Sequence, residues 1–469
     1  MKSQTNKEKN RPWTAIIMAA GKGTRMKSPL PKVLHPVAGK PMLAYVVEAC
    51  RQAGVGDVRV VVGHGLNLVK AVSEPWGVQI HVQAQQLGTA DAVKSAQPES
   101  IEGNVIILNG DHPLIEADDI RHFIEEFESD QLDLAVVTAE LKNAREFGRV
   151  VRHKGNLAAI VEAKDASAET LKIREVNTGI YLVKADVLSE FLPKIQNNNS
   201  KKEFYLTDLI SICLADHQKV SAIKGNKKVS VGVNNQQELA RASRLVFRRK
   251  ARSLMEDGVL MIEPMATFIE DSVEVAAGAV IFPNVYLRGK TKIGPFTSIE
   301  PGCHLVDADI GESVQLKAYT YLENCKVHSK ASVGPFARLR PETEIGEEAQ
   351  VGNFVEMKKT KFGKKSKAGH LTYLGDAEIG ERVNIGCGTI TVNYAVDRKK
   401  YKTKIGDDVF VGSDCQILAP LTVGDHAILA AGSTITKDVP ARALAVARGK
   451  QFVKENYVKV HEKAEEAES

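Results

Sequence analysis

The run IEDSVEVAAGAVIFPNVYLRGKTKIGPFTSIEPGCHL, residues 269–305, places an aliphatic side chain at every sixth position: Ile269, Val275, Ile281, Leu287, Ile293, Ile299 and Leu305. After a five-residue step the beat continues through Ile310, Leu316, Leu322, Val327, Val333, Leu339, Ile345 and Val351. It resumes at Leu374, Ile379 and Ile385, then at Ile405, Val411, Ile417, Val423, Leu429 and Ile435. A helix repeats at about 3.6 residues and a half-buried strand at about 2, so a sustained six belongs to neither. Short strands joined by corners and wound into a parallel β-helix do produce it. One aliphatic per hexad then points inward, and a small residue beside it lets the chain turn. The phase is lost around residues 391–404, which marks an inserted loop; loops on such solenoids often carry function.

The whole chain has 469 residues, more than one ordinary domain at roughly 100–200 residues each. With 43% hydrophobic and 26% charged residues, global disorder is excluded. The formal net charge is +5, and residues 1–11 supply +3 of it through Lys2, Lys7, Lys9 and Arg11 against Glu8. The remainder is close to neutral, which argues against a nucleic-acid partner, since that needs a concentrated basic surface. The first eleven residues lack the apolar core of a secretory signal, and no apolar run approaches the ~20 residues of a membrane span. Six scattered cysteines without a CxxC pair fit a reduced, cytoplasmic protein.

Upstream of the repeats the texture differs. Ala15-Ile16-Ile17-Met18, Val58-Arg59-Val60-Val61-Val62 and Val105-Ile106-Ile107-Leu108 are short β-branched runs, and segments such as 41–53 between them carry helical spacing. That alternation predicts a mostly parallel sheet covered by helices on both faces. Ligands of such sheets bind at the carboxyl ends of the strands. A stretch without Gly or Pro over 236–247, ended at Gly258, predicts a helical arm between the two parts. Its Arg248-Arg249-Lys250 run reads as a solvated face.

Directly behind the first run stands Met18-Ala19-Ala20-Gly21-Lys22-Gly23-Thr24-Arg25-Met26, with Pro31-Lys32 close after. Glycines there let backbone N–H groups wrap a phosphate chain. The Rossmann fingerprint fails because Met26 sits where its third glycine belongs, and GxxxxGK[ST] is absent. A plain tight turn accounts for one glycine but not for this density of Gly, Lys, Thr and Arg.

With Val33-Leu34 the run resembles the LxxGxGTRM…PKxL signature of sugar-1-phosphate nucleotidyltransferases, Met18 replacing the usual Leu. Gln83, Gln86-Leu87-Gly88-Thr89-Ala90, Asn109-Gly110-Asp111, Phe147-Gly148-Arg149, Val161-Glu162, Asn177-Thr178-Gly179 and Gly232-Val233-Asn234-Asn235 follow in the family's order. Asn109 stands where an aromatic is frequent, and His112 is also less usual. The resemblance implies that Asp111 and Asn234 hold Mg²⁺ and that Arg25 and Lys32 are catalytic, stabilising the phosphates. It implies that UTP and the nucleotide-sugar are bound by Met18, Ala19, Ala20, Gly21, Lys32, Gln83, Gly88, Thr89, Asn109, Gly110, Asp111, Gly148, Glu162, Asn177 and Asn234. The chemistry suits those types. A sugar-phosphate oxygen is already ionised when it attacks the α-phosphorus, so positioning and charge neutralisation matter more than a general base.

A second polar group gathers on the repeats. Arg338-Leu339-Arg340 leads to GNFVEMKK at 352–359, GHLTYLGDAEIG at 369–380 and Asn384-Ile385-Gly386-Cys387. With three hexads to a turn, Arg340, Lys358 and a residue near 376 stack as a cationic patch suited to a phosphate, and His370 stands near as a general base. A lone His is more often structural; this one accompanies Arg, Lys and Tyr and interrupts an aliphatic repeat.

From about Thr14 to Arg448 these runs resemble the family of bifunctional N-acetylglucosamine-1-phosphate uridylyltransferase/glucosamine-1-phosphate N-acetyltransferases of bacterial cell-wall precursor synthesis. The resemblance implies a left-handed β-helix, a homotrimer, and His370 deprotonating glucosamine-1-phosphate for attack on acetyl-CoA. It implies that Arg340, Lys358, Tyr373 and Asn384 bind the sugar phosphate, and that Cys387, Asn393, Tyr394, Ser413, Ala431 and Arg448 bind acetyl-CoA. Cys387 replaces a usual Ala as a small apolar residue, and the family's NYDG becomes Asn393-Tyr394-Ala395-Val396-Asp397 with one extra residue. The expected division is a basic extension at 1–12, a nucleotidyltransferase domain at 13–234 and a helical linker at 235–262. A β-helix acetyltransferase domain at 263–448 and a tail at 449–469 follow. A β-helix serving only regulation or assembly is the competing reading, and it predicts no Arg/Lys/His/Tyr cluster on the repeats.

Overall fold

Alternating buried residues set the first sheet. Ala15 and Ile17 face one apolar layer and Ile16 faces the other, as the two-residue side-chain period of a strand demands. The structure, a computed structural model, describes residues 11–455 and 457 apart from 145, and divides the chain into two units with the boundary between Arg249 and Lys250. Most of the basic extension and the acidic tail after Val460 lie outside the described residues.

The first unit contains β1 (Trp13–Met18), α1 (Met42–Gln52), β2 (Asp57–Val62), α2 (Leu66–Ser73), β3 (Gln79–Val82), α3 (Thr89–Ser95) and β4 (Asn104–Asn109). It continues with α4 (Ala117–Ser129), β5 (Leu134–Glu140), β6 (Arg149–His153), β7 (Asn156–Val161), β8 (Glu175–Lys184), α5 (Ala185–Phe191), α6 (Asp208–Ala215) and β9 (Val220–Lys224). The main sheet runs β9-β5-β8-β4-β1-β2-β3, with the β6–β7 hairpin joined to β8. All neighbours are parallel except β8, which is antiparallel to both β4 and β5. Leu43 and Val46 of α1 with Phe123 and Phe127 of α4 cover one face; Val93 of α3, Leu188 of α5 and Leu209 of α6 cover the other. The carboxyl ends of β1, β2, β3 and β4 therefore open at one rim, where the glycine-rich loop, Gln83 and Asp111 follow.

Helix α7 (Gln236–Glu256) carries both kinds of packing: Ala242 and Val246 join Val37, Met42 and Leu114, while Ala251 and Leu254 join the core of the repeats.

In the second unit each short strand pairs in parallel with one a turn later: Ile281 with Ile299, Ile299 with Leu316, Val333 with Val351, Met357 with Leu374. The hexad aliphatics named above are buried, save Val275, which packs part-exposed against the same core. Past Ile385 the partner is Val411, a step of 26 instead of 17 or 18, so the loop at 391–404 is inserted within one turn. Leu316 is fully buried in this single-file core. Leu316→Ala is expected to destabilise the second unit by about 2–5 kcal/mol, read as a lower denaturant midpoint of that unit with the first unit's transition unmoved.

Candidate functional site

The first site is a cleft of about 340 Å³ behind β1 and β4, lined by Met18, Ala19, Ala20, Gly21, Lys32, Gln83, Gly88, Thr89, Asn109 and Asp111, together with Val33, Gln86, Ala92 and Glu203. The loop is pinned by its backbone: Ala19 N donates to Val61 O at 2.8 Å and Gly110 N to Met18 O at 2.9 Å. Gln86 adds a bond from its Nε2 to Ala20 O. Gln83 is buried, its Nε2 donating to Gly88 O at 3.1 Å and to Asp91 Oδ2 at 2.7 Å, so it also braces the loop it begins. Gly88, at φ +129°, packs against the Phe204 backbone where a side chain has no room.

At one end of this cleft four residues from three distant parts of the sequence meet. Lys32 Nζ contacts Asp111 Oδ2 and donates to Asn234 Oδ1 at 2.7 Å. Arg25 Nη2 donates to the same Asn234 oxygen at 3.1 Å, and its Nη1 lies 3.3 Å from Glu146 Oε2. Asn234 is held by the start of α7: Glu238 Oε2 accepts from Asn234 N at 2.8 Å, while Asn235 Oδ1 accepts from Glu238 N at 2.9 Å. Burial raises the Asp111 carboxyl more than any other single influence, but the Lys32 ammonium, His112 and the hydrogen bonds it accepts together hold it below its ordinary value. Burial pushes the adjacent His112 imidazole down, against the pull of Asp111. One carboxylate oxygen and one amide oxygen thus converge on a single positive charge. These are the hard donors that a magnesium ion retaining several waters requires. Among the described residues no group of three or more His, Cys, Asp or Glu gathers for a softer metal.

Gly148, Glu162 and Asn177 form a separate group beside the cleft. A Cβ at Gly148 would stand 3.6 Å from Glu162 Oε1 and 3.7 Å from Asn177 Cβ. Asn177 Nδ2 donates to Tyr181 OH at 2.8 Å, and its Oδ1 accepts from Gly179 N at 2.8 Å. Asn109 Nδ2 reaches Gly179 O at 3.4 Å, which ties this group to β4. Burial raises the Glu162 carboxyl. Arg25 and Asn234 also open onto a larger cleft of about 820 Å³ with Phe147 and Arg241.

The second site lies on the repeats. Two long strands, Gln350–Lys358 and Lys367–Gly375, pair across a corner of the coil and set Asn353 opposite His370. Exposed His370 Nδ1 is 2.8 Å from Asn353 Oδ1. With that oxygen accepting, Nδ1 carries the proton and Nε2 keeps its lone pair. The column through His370 continues upward. Gly388 N donates to Leu371 O at 3.0 Å, Asp414 N to Cys387 O at 2.6 Å and Gly432 N to Ser413 O at 2.8 Å. Arg448 Nη1 donates to Ala431 O at 3.0 Å. His370, Cys387, Ser413 and Ala431 therefore occupy successive rungs of one edge.

On the neighbouring face Arg340 N bonds Met357 O at 2.9 Å and Lys358 lies opposite Gly375. Arg340 Nη1 is 2.9 Å from Glu356 Oε1, and Glu356 lies opposite Tyr373. Lys400, with Arg340 behind it, pushes the Lys358 ammonium below its ordinary value. Lys400 belongs to the inserted loop and was not foreseen from the sequence; no offset along the chain signals its place. Asn393 is 7% exposed and its amide donates to Asp376, so its side chain turns inward. Tyr394 is exposed and bridges to Lys400. Asn384 is not brought to Tyr373: it sits on another ladder, opposite Lys367, in a 500 Å³ hollow with Gln350 and Arg382.

Comparisons with known proteins find matches to both parts of the chain. The family model of a MobA-like NTP transferase domain matches residues 15–175, and that of the bacterial transferase hexapeptide (six repeats) matches residues 402–437. The bifunctional protein GlmU of Bdellovibrio bacteriovorus is 68% identical over 455 residues, covering 97% of this chain and 99% of that one. The GlmU proteins of Trichlorobacter lovleyi and Carboxydothermus hydrogenoformans are 45% and 44% identical, over 94% and 95% of this chain and 96% and 99% of theirs. The chain belongs to the family of bifunctional GlmU proteins.

Proposed function

We propose that the protein acetylates glucosamine-1-phosphate from acetyl-CoA on its repeats. Its first unit then transfers UMP from UTP to the N-acetylated product, giving UDP-N-acetylglucosamine and pyrophosphate for cell-wall precursors. The observation that carries the acetyl half is the cluster on the repeats, where His370 is oriented by Asn353 and the cations Arg340, Lys358 and Lys400 gather further along the same strands. A purely regulatory β-helix has no use for it.

In the acetyl step, His370 Nε2 takes a proton from the 2-amino group as the nitrogen attacks the thioester carbonyl. The C–S bond breaks and coenzyme A leaves as the thiol once protonated. Arg340, Lys358, Lys400 and Tyr373 hold the sugar phosphate, whose double charge suits a cationic face. In the uridylyl step, the sugar-phosphate oxygen attacks the α-phosphorus in line and pyrophosphate departs; Arg25 and Lys32 neutralise the growing charge. Asp111 and Asn234 would hold Mg²⁺, which supplies Lewis-acid neutralisation of the phosphates. The glycine-rich loop and Thr89 position the triphosphate, while Gly148, Glu162 and Asn177 receive the sugar. Six free cysteines, and no helix long and apolar enough to cross a membrane among the described residues, support a cytoplasmic setting.

The active assembly is a homotrimer in this reading. Tyr319, Phe336 and Phe354 stack at 5.3 and 5.4 Å along one edge, and Leu371 extends the row beside His370; all four are about half exposed. Since Asn384 and Tyr373 lie on different ladders of one chain, another copy completes the sugar site. Phe336→Glu combined with Phe354→Glu is expected to give a monomer in sedimentation that loses acetyl transfer at least ~10²-fold and keeps uridylyl transfer. An acetylating monomer refutes the trimer. The overall reading is tested by mixing the protein with glucosamine-1-phosphate and acetyl-CoA. Free thiol should appear, and pyrophosphate should follow only when UTP is added; no thiol release refutes it.

A further inference from the structure

One residue beside the magnesium pair has no role so far. His112 is 8% exposed, and its Nε2 stands 3.6 Å from Asp111 Oδ1. Two contacts say what depends on it. Asp111 divides its oxygens: Oδ2 meets Lys32, on the side where Asn234 Oδ1 lies, and Oδ1 faces His112. The same nitrogen lies against Gly232, where a Cβ would stand 2.8 Å from it. The strand-like segment that ends in Asn234 is meanwhile tied to Asp111 by Val233 N donating to Asp111 O at 3.0 Å. One edge of the imidazole thus lies against both the residue carrying one metal-facing oxygen and the segment carrying the other.

We propose that His112 is a positioning residue of the uridylyl site. It keeps Asp111 Oδ1 turned away so that the carboxylate meets the ion through Oδ2 alone, beside Asn234 Oδ1. Mg²⁺ demands near-ideal octahedral geometry and keeps most of its waters, so a carboxylate swung to offer both oxygens distorts the site. The inference rests on the assignment of Asp111 and Asn234 as the magnesium-holding pair.

The test uses the full-length protein and Mn²⁺ alone, an EPR-visible stand-in, with bound ion measured against free and no turnover required. His112→Ala should weaken Mn²⁺ binding at least ~10-fold, the usual scale for losing a group that orients a metal ligand. Gly232→Ala, whose new Cβ presses on the ring nitrogen that faces Asp111, should weaken it as well. In the double variant the two losses should fall well short of their product, because the ring they share is gone. The denaturant midpoint of the first unit in each preparation reports that the part holding the site has folded, and if His112→Ala fails there, Gly232→Ala decides alone. A parent-like Mn²⁺ isotherm in a folded His112→Ala, or in Gly232→Ala, overturns the proposal, as do fully multiplicative losses. Asp111→Asn is the control for the assignment beneath it. If that variant binds Mn²⁺ like the parent, the magnesium reading itself is wrong; if it loses binding while His112→Ala does not, only the role of His112 falls.

Discussion

His370→Ala should lower acetyl transfer by roughly 10²–10⁴-fold, the range that a positioned general base contributes, and leave uridylyl transfer unchanged. The ring stands exposed on a corner, so its removal opens no cavity in the repeat core and the variant should unfold like the parent. Its partner sharpens the test. Asn353 Oδ1 accepts from Nδ1 and so reserves Nε2 for the amine. Asn353→Ala should therefore cost less than His370→Ala and act on kcat more than on KM, since it loosens the base without touching the sugar-phosphate cations. Thiol release followed with a disulfide dye measures both. A folded His370→Ala that acetylates at the parent rate would falsify the assignment.

Asp111→Ala should remove pyrophosphate release by at least ~10²–10³-fold and spare acetylation, because every residue named for the acetyl step belongs to the second unit. The effect has two sources. The carboxylate is one of two oxygens that meet on a single positive charge, and without it Lys32 keeps only Asn234 as a partner. Lys32 and Arg25 then share one amide oxygen, and the Glu146 carboxylate beside Arg25 is the anion that remains. Asp111→Asn, equal in size but neutral, separates charge from shape: a loss as deep as that of the alanine variant assigns the effect to charge. Joint loss of both activities in a folded Asp111 variant contradicts two independent sites.

The hexad rhythm was readable because each inward position admits only an aliphatic, and a fixed step repeats that demand turn after turn. The strand ends of the first unit were readable for a related reason: β-branched runs fully buried on both sides stop abruptly at Gly, Asn or His. What periodicity does not carry is register across an interruption. Lys400 reaches Lys358 only because the loop after Val392 folds back, and the step of 26 between Ile385 and Val411 appears only when the ladder is traced. The inward turn of Asn393 has the same origin, since its partner Asp376 comes from the turn below. Nor does the sequence announce that β8 runs against its neighbours, or that Arg25 shares an oxygen with a residue some two hundred positions away. Asn353 lay inside a motif already noted, yet its tie to His370 depends on which residues the two long strands set opposite each other.

The edge that holds His370, Cys387, Ser413 and Ala431 is graduated like a ruler, because successive rungs of a sheet are spaced about 4.8 Å apart. Three graduations separate the first mark from the last, roughly 14 Å. A flexible carrier gripped at the upper mark must therefore deliver its reactive end at a distance counted in whole coils, and lengthening the ruler by one coil would leave every gripping group intact while the cargo fell short.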